Sequence, residues 1–295
     1  MNKSTTLQMT IDRIDDKSKL ITKDIDCLQT VTLNISETCQ LKCSFCPRSK
    51  GYHHPISFMS KEIATYIRNN LSYIDYHNTL SISGMGEPFL HPHINSIINI
   101  LTDNGNAKYK TQILTNGLAK YDYDKILKYG VKIIVSIHDD TKDTHLPIMD
   151  YKSDNIIYRD HTSSSKEMIP TNRAGYIKDG CNKNTCYYPF YKIFIDYDGS
   201  YLLCQEDWKR VTKVKKYKYR DKYKSVNITQ MDIEKYFTSY LFPYKQQFCS
   251  QDGYIDRKNI LSHNLCGNCN AIGIVMGERY YEYFRSKYDD YSRSN

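Results

Sequence analysis

The chain has 295 residues, a formal net charge of +8 and 25% charged residues, long enough to bury a substantial core and to hold two domains. It shows no apolar run near the roughly 18 residues of a membrane helix and no basic-then-apolar leader, so spanning and secreted classes are not expected and a cytoplasmic protein is. Its ten cysteines fall at ligand-like spacings, which argues for bound metal in a reducing compartment rather than for disulfides.

Residues 1–27 precede the first recognisable element and read as an N-terminal extension. Val31, Leu33 and Ile35 then alternate as a strand does. Directly after them come Cys39, Cys43 and Cys46, spaced by three and then two residues on a tight loop at the strand's C-terminal end. Three thiolates can hold three corners of a cubane [4Fe–4S] cluster and leave one iron open to a ligand that is not protein. Zinc is the competing reading, with His53 or His54 as a fourth ligand.

Ser60 is placed to cap a helix over residues 60–73, with Ile63, Ile67 and Leu71 on one side. A short apolar strand at 80–83 runs into Ser83-Gly84-Met85-Gly86-Glu87-Pro88, where backbone lacking a Cβ permits close approach of a ligand. An ordinary Gly-Pro turn is the plain alternative there. Ile94, Ile97, Ile98 and Leu101 have helical spacing, with Gly105 as a stop. A strand at 111–115 ends in Asn116-Gly117, and a helix at 123–129 closes at Gly130. The strand at 131–137 ends in Ser136-Ile137-His138-Asp139. A short helical stretch from about Asp143 leads to a fifth strand at 155–158. Strand–helix alternation implies a parallel sheet, whose C-terminal strand ends are where barrel-type α/β enzymes place their sites.

Beyond residue 165 the pattern changes. Cys186 and Cys204 enclose a strand–turn–strand with Asp198-Gly199 as its hairpin signal, and Cys266-Gly-Asn-Cys269 adds a close pair. Four such thiols suit an iron–sulfur cluster or a zinc ribbon. Cys27, Cys181 and Cys249 have no assigned partner. The Lys- and Tyr-rich run at 209–224 has a composition that can bind nucleic acid, but it reads as a solvated loop, so nucleic acid is not the expected partner.

The cysteine triplet, the Gly84–Glu87 segment, Thr115-Asn116-Gly117 and the Ser136–Asp139 strand end resemble, in order and register, the radical S-adenosylmethionine (SAM) superfamily. That resemblance implies an α/β fold: a shortened radical SAM partial barrel of about five parallel strands and four helices over residues 28–165. It implies that Cys39, Cys43 and Cys46 hold a [4Fe–4S] cluster whose open iron takes the amino and carboxylate groups of S-adenosyl-L-methionine. Gly84, Met85, Gly86, Glu87, Asn116, Ser136 and Asp139 are then the expected contacts to that cofactor, with the Glu87 carboxylate among those receiving its amino group. Residues 166–295 resemble the Twitch domain, the shorter relative of the SPASM domain, which implies an auxiliary [4Fe–4S] cluster on Cys186, Cys204, Cys266 and Cys269. Asn172-Arg173-Ala174-Gly175 resembles a segment found just upstream of such domains, with no role assigned. Glu206, two residues after Cys204, and Arg159, at the end of the fifth strand, are expected to face substrate; plain surface charges are the alternative.

The chemistry implied is reductive cleavage of the sulfonium by an electron from a flavodoxin- or ferredoxin-like donor. The resulting 5′-deoxyadenosyl radical takes a hydrogen atom from substrate, and the auxiliary cluster accepts a second electron. The shortened core and four-cysteine set point to two-electron oxidation of a sugar- or aminocyclitol-like alcohol. A peptide- or protein-modifying maturase is the alternative enzyme, and a non-catalytic zinc or iron–sulfur protein the alternative class.

Overall fold

Runs of four to six residues rich in Val, Ile, Leu and Thr make the first five strands: β1 (Thr30–Leu33), β2 (Thr79–Ile82), β3 (Lys110–Thr115), β4 (Lys132–Ile137) and β5 (Ile156–Asp160). The computed structural model describes residues 25–162, 173–174, 176–177, 188–213, 232–241 and 269. The five strands pair in parallel in the order β5-β4-β3-β2-β1. Between them lie α1 (Lys61–Tyr73), α2 (Ile94–Leu101) and α3 (Asp124–Leu127). Ser60 caps α1, its hydroxyl accepting from Ile63 N at 3.3 Å.

Ala64, Ile67 and Leu71 of α1 and Ile94, Ile97, Ile98 and Leu101 of α2 share one core with Leu33, Leu80, Ile82, Ile113 and Ile133 of the strands. All four residues of β2 are buried, as expected of a strand covered on both faces. β5 is the open edge, with Ile157 and Tyr158 exposed.

Two features differ from the sequence expectation. The stretch from Asp143 forms turns and a single 3-10 turn, Pro147–Asp150, instead of a helix. Leu146 is extended (φ −89°, ψ 132°), because a proline ring disfavours helical backbone in the residue before it.

The second difference concerns the hairpin. After α4 (Tyr188–Tyr191), strand β6 (Lys192–Ile195) pairs in parallel with β1 on the side away from β2, from Thr30↔Lys192 to Leu33↔Ile195. β7 (Tyr201–Leu202) then pairs antiparallel with β6. A single sheet, β5-β4-β3-β2-β1-β6-β7, therefore runs across the boundary expected near residue 165 and contains six parallel strands. The turn is the expected Asp198-Gly199, with Gly199 at φ 77° and its N–H donating to Asp196 O at 2.9 Å. A last helical piece, α5 (Asp232–Lys235), continues through a π-helical turn at Tyr236–Tyr240, burying Ile233, Phe237 and Leu241 in the same core. No helix among the described residues is long and apolar enough to cross a membrane.

Candidate active site at the strand ends

The polar residues that stop the strands meet at the sheet's C-terminal end. Past β1, Cys39 and Cys46 are half-buried and Cys43 is buried. The loop is tightened by Cys46 N donating to Cys43 O at 2.8 Å. Two donors point at one sulfur: Leu41 N lies 3.5 Å and Asn116 Nδ2 3.7 Å from Cys39 Sγ. Gln40 Nε2 donates to Asn116 Oδ1 at 3.2 Å, so the end of β3 is fastened to the cysteine loop.

Burial pushes all three thiols above their ordinary range, and for Cys43 the Cys46, Asp140 and Cys39 charges add to it, taking it to about 12. Thiols held this firmly in the protonated form become thiolates against a metal cation, which deprotonates them outright. Together with the N–H donors on Cys39, this donor set fits a metal cluster. His54, one of the two candidate zinc ligands, is engaged elsewhere: Nδ1 lies 3.1 Å from Pro55 O and 3.9 Å from Glu37 Oε2. His53 is exposed.

The segment after β2 is pressed against this loop. Glu87 N donates to Thr38 O, and Met85 N to Asn34 Oδ1 at 3.3 Å. A Cβ on Gly84 would come 2.5 Å from Asn34 Oδ1, and one on Gly86 2.1 Å from Ser36 O. The glycines thus make room for the chain leaving β1, an approach of protein to protein. Glu87 is turned inward, with only 3% of its surface exposed. Its Oε1 accepts from Thr115 Oγ1 at 2.7 Å and Phe89 N at 3.1 Å, and its Oε2 from Asn116 N at 2.9 Å. The carboxylate joins the ends of β2 and β3.

At the end of β4, Ser136 is buried and stands in register with Arg159 of β5, which is half-buried. Asp139 is exposed. The residue that reaches the cysteine loop is His138, a role the sequence did not suggest: its ring centroid lies 5.0 Å from that of Phe45 and 5.7 Å from that of His161. Burial, then the neighbouring His161, lowers His138 to about 4, so it is neutral near pH 7. Its Nδ1 is buried with no hydrogen-bond partner among the described residues.

A second feature not foreseen is an ionic knot under the loop. Asn34 Nδ2 donates to Glu37 Oε1 at 2.6 Å and to Asp196 Oδ1 at 2.8 Å. Arg210 binds Asp196 (Nε–Oδ2 2.6 Å), Glu37 and Tyr52. Arg48 holds Met85 O at 2.8 Å and Glu37 O at 2.8 Å. Arg210 and Lys213, the latter 2.7 Å from Asp198, belong to the basic run and point inward in ion pairs. Of that run, residues 214–224 lie outside the described residues.

On the β7 side, half-buried Cys204 packs with buried Cys269 against Tyr188, Tyr191 and Ala174. Cys186 and Cys266, like Cys181 and Cys249, lie outside the described residues. Glu206 is enclosed, 1% exposed, with Arg173 Nη1 3.2 Å from its Oε1 and 3.3 Å from its Oε2. Of the two groups expected to face substrate, Arg159 alone sits at a strand's C-terminal end.

Comparison with known proteins agrees with this geometry. The radical SAM superfamily model matches residues 33–158, the span from β1 to β5. The S-adenosyl-L-methionine-dependent 2-deoxy-scyllo-inosamine dehydrogenase of Niallia circulans is 21% identical over 261 residues, covering 85% of this chain and 96% of that protein. The crystal structure of BtrN in complex with AdoMet and 2-DOIA superposes with a TM-score of 0.67 at 20% identity, over 86% of this chain and 97% of that one. An open conformation of BtrN gives 0.58 at 19% identity, with the same coverage. That superfamily works with S-adenosylmethionine and a [4Fe–4S] cluster. Residues 33–158 thus form a radical SAM domain.

Proposed function

We propose that this enzyme carries out the two-electron oxidation of an alcohol on a sugar- or aminocyclitol-like small molecule. The observation that carries this reading is the end-to-end correspondence with the inosamine dehydrogenase, which reaches well past the matched domain. When bound, the cluster and S-adenosylmethionine supply the radical that removes hydrogen from a substrate carbon. The chain's own residues do the rest. Cys39, Cys43 and Cys46 hold the cluster, and Asn116 keeps Cys39 in place through its amide. Arg159 and Ser136, side by side at the ends of β5 and β4, offer polar groups to a substrate hydroxyl.

In this reading an auxiliary [4Fe–4S] cluster lies on Cys186, Cys204, Cys266 and Cys269 and accepts the second electron. The common packing of Cys204 and Cys269 supports it. A low-potential flavodoxin- or ferredoxin-like donor and a cytoplasmic setting complete the proposal, since such clusters need reducing conditions.

Anaerobic reconstitution with iron and sulfide, then incubation with S-adenosylmethionine and 2-deoxy-scyllo-inosamine, tests it. We expect about eight irons per chain, four for each cubane, and 5′-deoxyadenosine released together with a ketone product. Cys43→Ala abolishes sulfonium cleavage, whereas Cys204→Ala leaves cleavage but stops product formation. One zinc per chain and no nucleoside would overturn the reading. Deoxyadenosine formed only with a peptide substrate would replace it by the maturase alternative.

A further inference from the structure

The side-chain amide of Asn116 is held at both ends. Its Oδ1 accepts from Leu118 N at 3.0 Å and from Gln40 Nε2 at 3.2 Å. A backbone N–H can only donate, so the atom facing Leu118 is the oxygen and the other end of the amide is the NH2 group. That end, Nδ2, lies 3.7 Å from Cys39 Sγ, within reach of a hydrogen bond to sulfur. The main chain of Asn116 is pinned as well, its N donating to the buried carboxylate of Glu87 at 2.9 Å. Gly117, at φ 73°, makes the turn in which Leu118 N meets the Asn116 side chain. Asn116 is buried, whereas Gln40 is an exposed residue of the cysteine loop that reaches it across 76 positions of sequence. A donor has been fixed on the sulfur of one cysteine, and the loop that carries this cysteine supplies one of the clamps.

We infer that Asn116 is a positioning residue of the metal centre rather than a contact to S-adenosylmethionine: oriented by Gln40, its amide N–H bonds to Cys39 and holds up the reduction potential of the cluster there. The physical reason lies in the charge on sulfur. Reduction adds one electron, from whatever low-potential donor is used, to a centre whose thiolate ligands are already anionic. A hydrogen bond to an ionised acceptor strengthens as the negative charge on that acceptor grows, so it stabilises the reduced form more than the oxidised one. Cluster potentials respond to hydrogen bonds on the sulfurs in this way. Leu41 N, 3.5 Å from the same sulfur, is a second donor that no side-chain change removes. The inference rests on the reading that the three cysteines carry a [4Fe–4S] cluster, and needs no assumption about the second metal site.

The test is an anaerobic redox titration of reconstituted protein without S-adenosylmethionine, following the paramagnetic signal of the reduced cluster. At the poise where wild type is half reduced, Asn116→Leu, close in shape but with no N–H, is expected to lower the reduced-to-oxidised ratio about three- to tenfold, a tenfold change being about 59 mV for one electron. Gln40→Met, at an exposed position, lowers it about two- to threefold. The double variant matches Asn116→Leu, because Gln40 acts only through Asn116 and residues in one network do not add. Pulsed electron–nuclear resonance of protein equilibrated in heavy water supplies the structural readout: Asn116→Leu loses one exchangeable deuteron coupled to the cluster, while that of Leu41 remains. An unmoved ratio or an undiminished deuteron signal in Asn116→Leu overturns the inference, as does a Gln40→Met shift that persists in the double variant. Should Asn116→Leu fail to take up iron, Gln40→Met decides alone: an unchanged or raised ratio overturns it. A wild-type protein with no paramagnetic signal that responds to added S-adenosylmethionine would sink the cluster assignment itself; normal signals with unmoved potentials sink the inference alone.

Discussion

Gly86 is the residue on which the site's backbone architecture is most exacting. A methyl group there would meet main-chain oxygens of Ser36 and Thr38 at 2.1 and 2.7 Å, and backbone, unlike a side-chain tip, cannot swing aside. Gly86→Ala should therefore cost about 3 kcal/mol, the upper end for overpacking, and displace the cysteine loop. Thermal unfolding of the apo protein and its iron uptake would register both effects; unchanged values would show that the loop can retreat. His138 makes a different prediction. Its usual value of 6.5 falls to about 4 in the folded chain, so between those pH values the unfolded chain binds more protons than the native one. Its contribution to stability is complete above about 6.5 and is lost as pH drops toward 4. His161, Asp139 and Asp140 face it and also set its charge balance. His138→Gln should flatten the pH 4–6.5 slope of stability measured by denaturant titration. A slope as steep as that of wild type would place the titrating group elsewhere.

Among the elements, β1 to β5 were legible because each ends in residues that cannot continue a strand, and α1 and α2 because their apolar residues recur at helical spacing. The neighbour of β1 on its other side was not legible. It is fixed by Asn34, Glu37, Asp196 and Arg210, and Asn34 and Asp196 are 162 positions apart in sequence. No local pattern encodes a bond of that span; polar residues at a strand end read only as a stop. For the same reason the positions of Asn116 beside Cys39 could be anticipated from register, while the inward turn of Glu87 could not. Arg210 is the keystone of the joint. Arg210→Ala would leave the buried Glu37 and Asp196 carboxylates short of a cation and should destabilise the protein by about 3 kcal/mol, at the lower end for breaking a buried ion pair. A change below about 1 kcal/mol in denaturant unfolding would mean that Arg48 and Lys213, each 3.7 Å from one of these carboxylates, take over.

For the whole molecule, the important fact is that the matched domain is not closed without the sequence that follows it. β6 covers one full side of β1, so a chain ending at residue 165 would present the unpaired backbone of Thr30–Leu33 along the sheet's edge. Such an unpaired edge recruits other strands. The truncated chain should accumulate as aggregate, by light scattering and soluble yield, where the full chain stays dispersed. A monomeric, soluble 1–165 fragment would show that β1 can be protected in another way.

The same arrangement bears on how the chain is made. At about 5–20 residues per second, a ribosome needs roughly ten to thirty seconds between releasing Asn34 and releasing Asp196. During that interval the three thiols have left the exit tunnel while the strand carrying them still lacks one flank. Delivery of iron and sulfur to the nascent protein is therefore expected to follow emergence of β6, whose docking on β1 acts as the signal that loading can begin.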